Sequence, residues 1–343
     1  MQQRPRALPC WWPLDVSAQR LTTGIGSLPH TDVEAAIKFA FHHGVPFLPQ
    51  LCARSPREGM IAQALDGLPG LVAVSPCAFS MHAPEWNLHR DALDARLFGA
   101  IVGNDAAALA SFEPSVESSE CWAPFKDALR RCARDIVAAK VQIDGPLTTL
   151  DCLACDEVPS SDALRAQVRK LIQAKALAMV RAMHECGVGA VVVFIDEPAL
   201  ENVAKKAGGA GFHEEMAHVR ELARILQTKG AVVGLHCCDG AAKVWDAVLA
   251  LSGVDVVSFD ARVSLDAVLA SPWLGDFLVR GGTTAVGVDY RYGVNNDSNA
   301  VSLYTAPCGL GLVGSEQAAE AIRQCVDGVH DAVFAKRMCG LIQ

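Results

Sequence analysis

The stretch AVVVFIDEP at residues 190–198 decides the fold class of this chain. In it, an uninterrupted apolar run ends in two carboxylates and a proline. The stretch AVVGLHCCD at residues 231–239 repeats this pattern, with His236 directly after the apolar run. Strands that are apolar on both faces are typical of parallel sheets, because helices cover both faces of such sheets. The apolar runs at 190–195 and 231–235 are therefore predicted to be buried strands of one parallel sheet.

Apolar runs and helical patterns alternate over nearly the whole chain, which fits both an open doubly wound sheet and a closed barrel. The barrel is favoured because polar residues follow the predicted strand ends, where barrel enzymes carry their sites. These residues are Asp196, His236, Asp260 and Asp289. We therefore predict an α/β fold, a single-domain (β/α)8 TIM barrel over residues 1–343, with an N-terminal extension at 1–20 and a possible insertion at 77–138.

The composition argues against two classes of partner. Hydrophobic residues make up 51% of the chain and charged residues 20%, and the net charge of −8 includes no basic block. A nucleic-acid-binding face needs clustered Lys and Arg, and no window reaches the roughly 18 uninterrupted apolar residues of a membrane span. The apolar stretch near the N-terminus is too short for a signal peptide. We expect a cytoplasmic protein in which most of the 13 cysteines are buried thiols.

A few cysteines form a candidate metal site together with a histidine. On an extended segment, His236 and Cys238 point to the same side, while Cys237 points away from it. Asp260, at the end of the next predicted strand, and Cys308, in the stretch APCG, supply two further donors. Zinc accepts mixed nitrogen, sulfur and oxygen ligands, and thiolates favour zinc over magnesium or calcium. The alternative is a pair of buried cysteines beside a hydrogen-bonded histidine.

Four stretches together resemble the catalytic barrel of cobalamin-independent methionine synthases, which are zinc enzymes related to uroporphyrinogen decarboxylase. They are TGIGSLPH at 23–30, IDEPAL at 195–200, HCC at 236–238 and PCGL at 307–310. The family's zinc motif is His-x-Cys, an acid 24 positions after the His, and a Cys in a Cys-Gly-Leu context. Asp260 stands where the family normally has Glu. The likeness is closest to the short, single-barrel forms, of which the stretches FLPQL at 47–51 and GLPG at 67–70 are typical. The full-length forms have an additional N-terminal barrel, for which we expect no room in this chain.

The resemblance implies a substrate, homocysteine, whose zinc-bound thiol attacks a methyl group. A free cysteine-type thiol has a pKa of about 8.5 and is mostly protonated at neutral pH, whereas a metal-bound thiol is deprotonated. By the same resemblance, the backbone at Gly26 and Ser27 binds the substrate carboxylate, and Asp196 binds its ammonium with Glu197 in support.

Two more residues are candidates for substrate contact. Gln50 stands where the family has a carboxylate near the zinc; it can still form hydrogen bonds but adds no charge. His30 follows Pro29 near the predicted site. It is either a substrate contact or a solvated loop histidine.

The sequence departs from the family where the methyl donor is handled. The family's catalytic histidine follows Gly-x-x-Asp-x, whereas VGVDYR at 286–291 places Asp289 one position sooner and Arg291 in the histidine's place. Methyltetrahydrofolate needs an acid to protonate its leaving amine, and Arg is a poor proton donor. Methylcobalamin needs no such acid. We therefore predict methylcobalamin or a methyl-corrinoid protein as donor, with Asp289 and Arg291 as catalytic residues; Asp289 acting as the acid stays an open alternative.

Three other functions remain open at this stage. A zinc alkyltransferase could act on another thiol such as coenzyme M, which has no ammonium for Asp196 to bind. A decarboxylase of the uroporphyrinogen type needs no metal and would leave the His-x-Cys pattern without a purpose. A zinc or corrinoid carrier would bind its group without alkylating any thiol.

Overall fold

The computed structural model describes residues 22–103, 105–154, 161–287 and 301–311. The predicted N-terminal extension at 1–20 and the predicted catalytic residues Asp289 and Arg291 lie outside the described residues.

The described residues form strands and helices in alternation over most of their length. The strands are β1 Leu71–Ser75, β2 Ala78–Met81, β3 Ala139–Asp144, β4 Leu153–Ala154, β5 Val191–Asp196, β6 Val232–Cys237, β7 Val256–Asp260, β8 Thr283–Gly287 and β9 Val301–Thr305. The helices are α1 Val33–Ala40, α2 Met60–Leu65, α3 Ala83–Ile101, α4 Ala106–Ala110, α5 Trp122–Cys132, α6 Pro146–Asp151, α7 Ser161–Glu185, α8 Leu200–Thr228, α9 Ala242–Leu251, α10 Ala261–Ala270 and α11 Leu274–Val279.

Six strands form one parallel sheet in the order β3-β5-β6-β7-β8-β9. Every residue of β5, β6 and β7 is buried, as expected for strands that helices cover on the outside. The helices α7 to α11 lie in the crossovers that lead from β3 to β5, from β5 to β6, from β6 to β7 and from β7 to β8. The prediction of buried parallel strands at 190–195 and 231–235 is confirmed, because these runs are β5 and β6.

The sheet is curled, and two extended segments, at residues 22–28 and 45–50, lie between its edge strands. Three isolated parallel bridges connect these segments to the edges and to each other: Thr22 with Tyr304 of β9, Ser27 with Gln50, and Phe47 with Lys140 of β3. Backbone hydrogen bonds from Thr23 N to Tyr304 O (2.9 Å) and from Leu48 N to Lys140 O (3.0 Å) accompany the bridges. This curled parallel sheet is compatible with a TIM-like fold.

The inner side of the curl is apolar at one end and polar at the other. Near the amino ends of the strands, Val192, Phe194, Val232 and Val256 belong to a buried inner cluster separate from the core under the helices. Towards the carboxyl ends, the alternate positions that share this face become polar. The inner apolar layer therefore forms a floor, and the polar side chains above it are placed where parallel α/β proteins carry their sites.

The segment 77–138 contributes no strand to the six-stranded sheet. Its strand β2 pairs antiparallel with β1 and parallel with β4 in a separate sheet. The helix α3 is joined to α7 by a buried hydrogen bond of 2.7 Å from Trp86 Nε1 to Gln167 Oε1. The interpretation of 77–138 as an insertion stays a prediction.

The longest helices of the described residues, α7 and α8, cover 25 and 29 residues. The helix α8 is interrupted by a kink at Gly208. No helix among the described residues is both long enough and apolar enough to cross a membrane.

The inner floor predicts the effect of adding one methyl group to β6. A Cβ at Gly234 would lie 2.5 Å from a ring carbon of Phe194 on the neighbouring strand. Because both residues are buried, we expect Gly234→Ala to lower the free energy of unfolding by about 1–3 kcal/mol, as measured by urea denaturation. Gly209→Ala is the control, since a Cβ there meets no atom within 4 Å. A Gly234→Ala variant as stable as the unmodified protein would contradict this packing.

Candidate metal centre

The candidate centre begins at the end of β6. His236 is the penultimate residue of this strand, its side chain is buried, and its Nδ1 lies 3.0 Å from the Ser258 hydroxyl of β7. With Nδ1 hydrogen-bonded to Ser258, the Nε2 atom is available as a ligand. Cys237 is fully buried in the core under the helices, whereas the Cys238 Sγ lies 3.4 Å from His236 Nε2. The predicted alternation of His236, Cys237 and Cys238 is therefore observed.

Cys308 reaches the same point from the segment that follows β9. Its Sγ lies 3.1 Å from the Sγ of Cys238. The segment is held by a 2.8 Å hydrogen bond from Leu310 N to Ser27 O. It approaches so closely that a Cβ at Gly309 would lie 2.0 Å from Ser27 Oγ. Glycine after Cys308 therefore permits the approach that brings the two thiols together.

The three donor atoms form a group able to hold a metal ion. The ligand atoms of His236, Cys238 and Cys308 all lie within 4.8 Å of one another. A tetrahedral zinc with bonds of about 2.3 Å to sulfur and about 2.1 Å to nitrogen requires sulfur–sulfur and sulfur–nitrogen separations of roughly 3.6–3.8 Å. The observed 3.1 Å and 3.4 Å need only a small widening. One nitrogen and two sulfurs are a donor set that fits zinc.

Cys238 and Cys308 lose their thiol protons at different pH values, because the hydrogen bond between them stabilises one thiolate. A hydrogen bond from the Cys238 thiol and the proximity of His236 lower the pKa of Cys308. The same hydrogen bond and burial raise the pKa of Cys238. One thiolate is therefore available before the second proton is lost, which favours capture of a cation at this point.

Asp260 does not join this group in the structure. Its carboxylate caps α10, accepts from Arg262 N at 2.9 Å, and accepts from Arg262 Nη2 at 2.7 Å and Nε at 3.1–3.2 Å. The Arg262 side chain is half exposed, whereas that of Asp260 is buried. The ligand role of Asp260 stays a prediction, and fulfilling it requires the carboxylate to exchange Arg262 for the metal.

The carboxylate of Asp196 lies on the other side of His236. Asp196 pairs with His236 across β5 and β6, is 3% exposed, and its Oδ1 has no hydrogen-bond partner among the described residues. Burial raises the pKa of Asp196 to about 6, although the nearby His236 and Lys140 oppose the rise. A buried carboxylate oxygen without a donor costs free energy, and a cationic ligand would remove that cost.

Glu197 has a different environment from its neighbour. Its oxygens accept from Leu147 N at 3.0 Å and from Thr148 N and Thr148 Oγ1, both at 2.7 Å. Burial raises the pKa of Glu197 to about 7, although these hydrogen bonds oppose the rise. We therefore interpret Glu197 as the residue that holds the start of α6 against β5, rather than as a direct substrate contact.

The remaining predicted substrate contacts, Gln50, Ser27 and His30, lie in or next to the two extended segments at 22–28 and 45–50. Gln50 is buried, its backbone N donates to Gly26 O at 3.0 Å, and its side chain donates to Gln63 Oε1 at 2.6 Å. Ser27 contacts the Cys308 segment as described above. His30 is half-buried against Phe39, with ring centroids 4.8 Å apart, and burial lowers its pKa. His30 is not one of the residues of the metal group.

Three polar residues on the inner face of β3 are not among the site residues predicted from the sequence. Lys140, Gln142 and Asp144 are buried at alternate positions. The Lys140 amine donates to Ile25 O at 2.7 Å and to Gln142 Oε1 at 3.0 Å, and burial lowers its pKa to about 8. The signal was present in the sequence AKVQID, because polar residues at every second position of a strand share one face.

No protein-family model and no curated protein matches this sequence. Solved structures do match. A methyltransferase from Methanosarcina mazei superposes with a TM-score of 0.51 at 11% identity, covering 90% of this chain and 93% of that chain. A B12-independent methionine synthase from Shewanella sp. W3-18-1, in complex with selenomethionine, gives 0.40 at 18% identity over 59% of this chain and 64% of that chain. At this identity, the first match shows that this chain shares the fold of the Methanosarcina mazei protein.

The hydrogen bond between Ser258 and His236 predicts a change in metal affinity. Ser258→Ala removes the partner that orients the imidazole, so we expect the dissociation constant for Zn²⁺ to rise about 10- to 100-fold. A chelator competition titration measures this constant. Ser252→Ala is the control, because the buried Ser252 hydroxyl, directly after α9, donates to Val248 O at 2.6 Å, and Ser252 is not one of the residues of the metal group. Equal zinc affinities for both variants would show that Ser258 does not orient a ligand.

Proposed function

We propose that this chain is a zinc-dependent methyltransferase that transfers a methyl group to the thiol of homocysteine to give methionine, with methylcobalamin or a methyl-corrinoid protein as donor. One observation carries the proposal: the His236, Cys238 and Cys308 donors converge at the carboxyl ends of a parallel sheet, beside the buried carboxylate of Asp196. The resemblance of four sequence stretches to cobalamin-independent methionine synthases supports it.

The proposal includes a complete (β/α)8 barrel over residues 1–343. The extended segments at 22–28 and 45–50 would be its first and second strands, lying between β9 and β3. The three isolated parallel bridges support this arrangement, since each joins neighbours in that order. The segment 77–138 would then be an insertion between the second and third barrel strands.

His236, Cys238 and Cys308 are the proposed protein ligands, with Asp260 as a further candidate. Three protein ligands leave one position of a tetrahedral site for the substrate thiol, as in catalytic zinc sites. When bound, zinc holds the thiol in its deprotonated, nucleophilic form at neutral pH. Ser258 keeps the imidazole of His236 in the orientation that presents Nε2.

The surrounding residues are proposed to position the amino-acid part of homocysteine. The Asp196 carboxylate accepts hydrogen bonds from the ammonium, and the backbone at Gly26 and Ser27 binds the carboxylate. Gln50 and His30 contact the substrate without adding negative charge. These roles follow the sequence resemblance, and the burial of Asp196 and the contact between Ser27 and the Cys308 segment support them.

The proposed donor rests on the sequence alone. Asp289 and Arg291 are the proposed catalytic residues near the donor. Arg291 replaces a histidine that would serve as a proton donor, and Arg stays protonated at neutral pH. A corrinoid donor needs no proton on its leaving group, which is why we propose it rather than methyltetrahydrofolate.

Zinc content and methyl transfer, measured on the same reduced preparation, test the proposal. We expect about one zinc per chain, the number of ions that one such site holds, and methionine formation from methylcobalamin and homocysteine. Cys238→Ser and Cys308→Ser each remove a ligand, and we expect both to lower zinc occupancy and to lower the transfer rate by at least about 100-fold. Cys186→Ala is the matched control, because this buried cysteine packs in the core under the helices.

Each other outcome points away from the proposal in a distinct direction. Absence of zinc from the reduced protein would contradict the metal centre and would favour the alternative function, a decarboxylase of the uroporphyrinogen type. Zinc without transfer to homocysteine, but with transfer to coenzyme M, would change the acceptor. Zinc with no transfer to any thiol would support a carrier.

A further inference from the structure

A row of polar side chains crosses the inner face of four neighbouring strands. Strand register pairs Asp144 of β3 with Asp196 of β5, Asp196 with His236 of β6, and His236 with Ser258 of β7. Neighbouring strands are about 4.8 Å apart. Asp196 therefore lies between Asp144 and His236. Both carboxylates belong to the same inner face.

Asp144 is buried but only partly satisfied. It is 1% exposed, and its Oδ2 accepts from Thr149 Oγ1 at 2.7 Å. Its Oδ1 is buried and has no hydrogen-bond partner among the described residues, a condition that it shares with Oδ1 of Asp196. Two neighbouring buried carboxylates thus each keep an acceptor oxygen without a donor, which is costly unless a ligand supplies the donors.

No cationic side chain of the described residues donates a hydrogen bond to the free oxygen of Asp144 or of Asp196. Glu197, the third carboxylate nearby, is occupied by the donors at the start of α6. Lys140 directs its amine to Ile25 O and Gln142 Oε1, and no described ion pair joins it to either aspartate. Burial raises the pKa of Asp144, and the neighbouring Glu197 and Asp196 add to the rise, although the hydrogen bond from Thr149 opposes it.

We propose that Asp144 is a second substrate-binding carboxylate, which together with Asp196 binds the ammonium group of the amino-acid thiol. This inference rests on the proposed function and deepens it, because it names the residues that select a thiol carrying an amine. An ammonium has three donors, and charge-assisted N–H···O bonds are about 2.7–2.9 Å long. One nitrogen can therefore bridge oxygens on adjacent strands. A thiol without an amine leaves both oxygens unpartnered and is disfavoured on that account.

Binding to the zinc-loaded protein tests the inference by isothermal titration calorimetry with two probes. The probes are homocysteine and 4-mercaptobutanoate, which is the same thiol acid without the amine. Asp144→Asn keeps the shape and an oxygen that accepts from Thr149 but removes the charge. We expect the dissociation constant for homocysteine to rise roughly 10- to 100-fold, and that for 4-mercaptobutanoate to stay within about two-fold, as it makes no contact that depends on the charge.

A matched control separates loss of this contact from general loss of a carboxylate. Asp151 lies on α6 close to Asp144 in sequence and is paired with Lys206 and Asn202 outside the inner face. Asp151→Asn should leave both dissociation constants unchanged. Zinc content, measured for every variant, should stay at the level of the unmodified protein. If Asp144→Asn does not fold, Asp144→Ser retains a hydrogen-bonding oxygen without charge and should show the same amine-dependent loss.

The outcomes distinguish this inference from the proposed function. If the unmodified protein prefers homocysteine and the Asp144 variants bind it equally well, the inference is wrong and the function stands. A loss of affinity of the same size for both probes would mean a structural role for Asp144, which also overturns the inference. If the unmodified zinc-loaded protein binds neither probe, the proposed function itself fails.

Discussion

The shared direction and register of the parallel strands is the constraint on which the site depends. Because β3, β5, β6 and β7 run in the same direction, their carboxyl ends meet at one edge of the sheet. A slip of β6 by one residue would turn His236 towards the helices and Cys237 towards the interior. Gly234 in the inner apolar layer opposes such a slip, because Val233 or Leu235 in its place would put a side chain against the ring of Phe194, where even a Cβ would lie 2.5 Å away. Packing near the amino ends therefore sets the geometry of the donors at the carboxyl ends.

The buried polar side chains at the carboxyl ends of the strands cost free energy when no ligand is bound. Unpartnered buried polar atoms cost about 1–3 kcal/mol each, and the structure keeps two such carboxylate oxygens at Asp144 and Asp196 beside a metal-binding group. The apolar floor offsets part of this cost by burying large side chains beneath the site. A pocket of this kind is stabilised most by a ligand that brings a cation to the carboxylates and a sulfur to the metal, which is the substrate chemistry proposed above.

The sequence predicts the elements whose signals are local and continuous. The apolar runs that became β5 and β6 were readable because helices cover both faces, and the i, i+2 relation of His236 and Cys238 follows from strand geometry alone. The contact between Cys238 and Cys308 joins residues 70 positions apart; family resemblance indicated it, since no local pattern does.

Two features of the site, Asp144 and the ion pair between Asp260 and Arg262, were not predicted from the sequence. Asp144 was not predicted, because β3 mixes polar and apolar residues and therefore lacks the continuous apolar run that marks β5 and β6. The ion pair between Asp260 and Arg262 was missed because an aspartate at a strand end is also a helix N-cap, and the capping role competes with metal binding.

Zinc K-edge X-ray absorption of the zinc-loaded protein, recorded without and with homocysteine, can show whether the metal group binds the substrate thiol. We expect a first coordination shell with two sulfurs and one imidazole nitrogen, with zinc–sulfur distances of about 2.3 Å, and one additional sulfur after homocysteine is added. A shell without sulfur, or a sulfur count that homocysteine does not change at saturating concentration, would contradict a centre built to hold and activate a thiol.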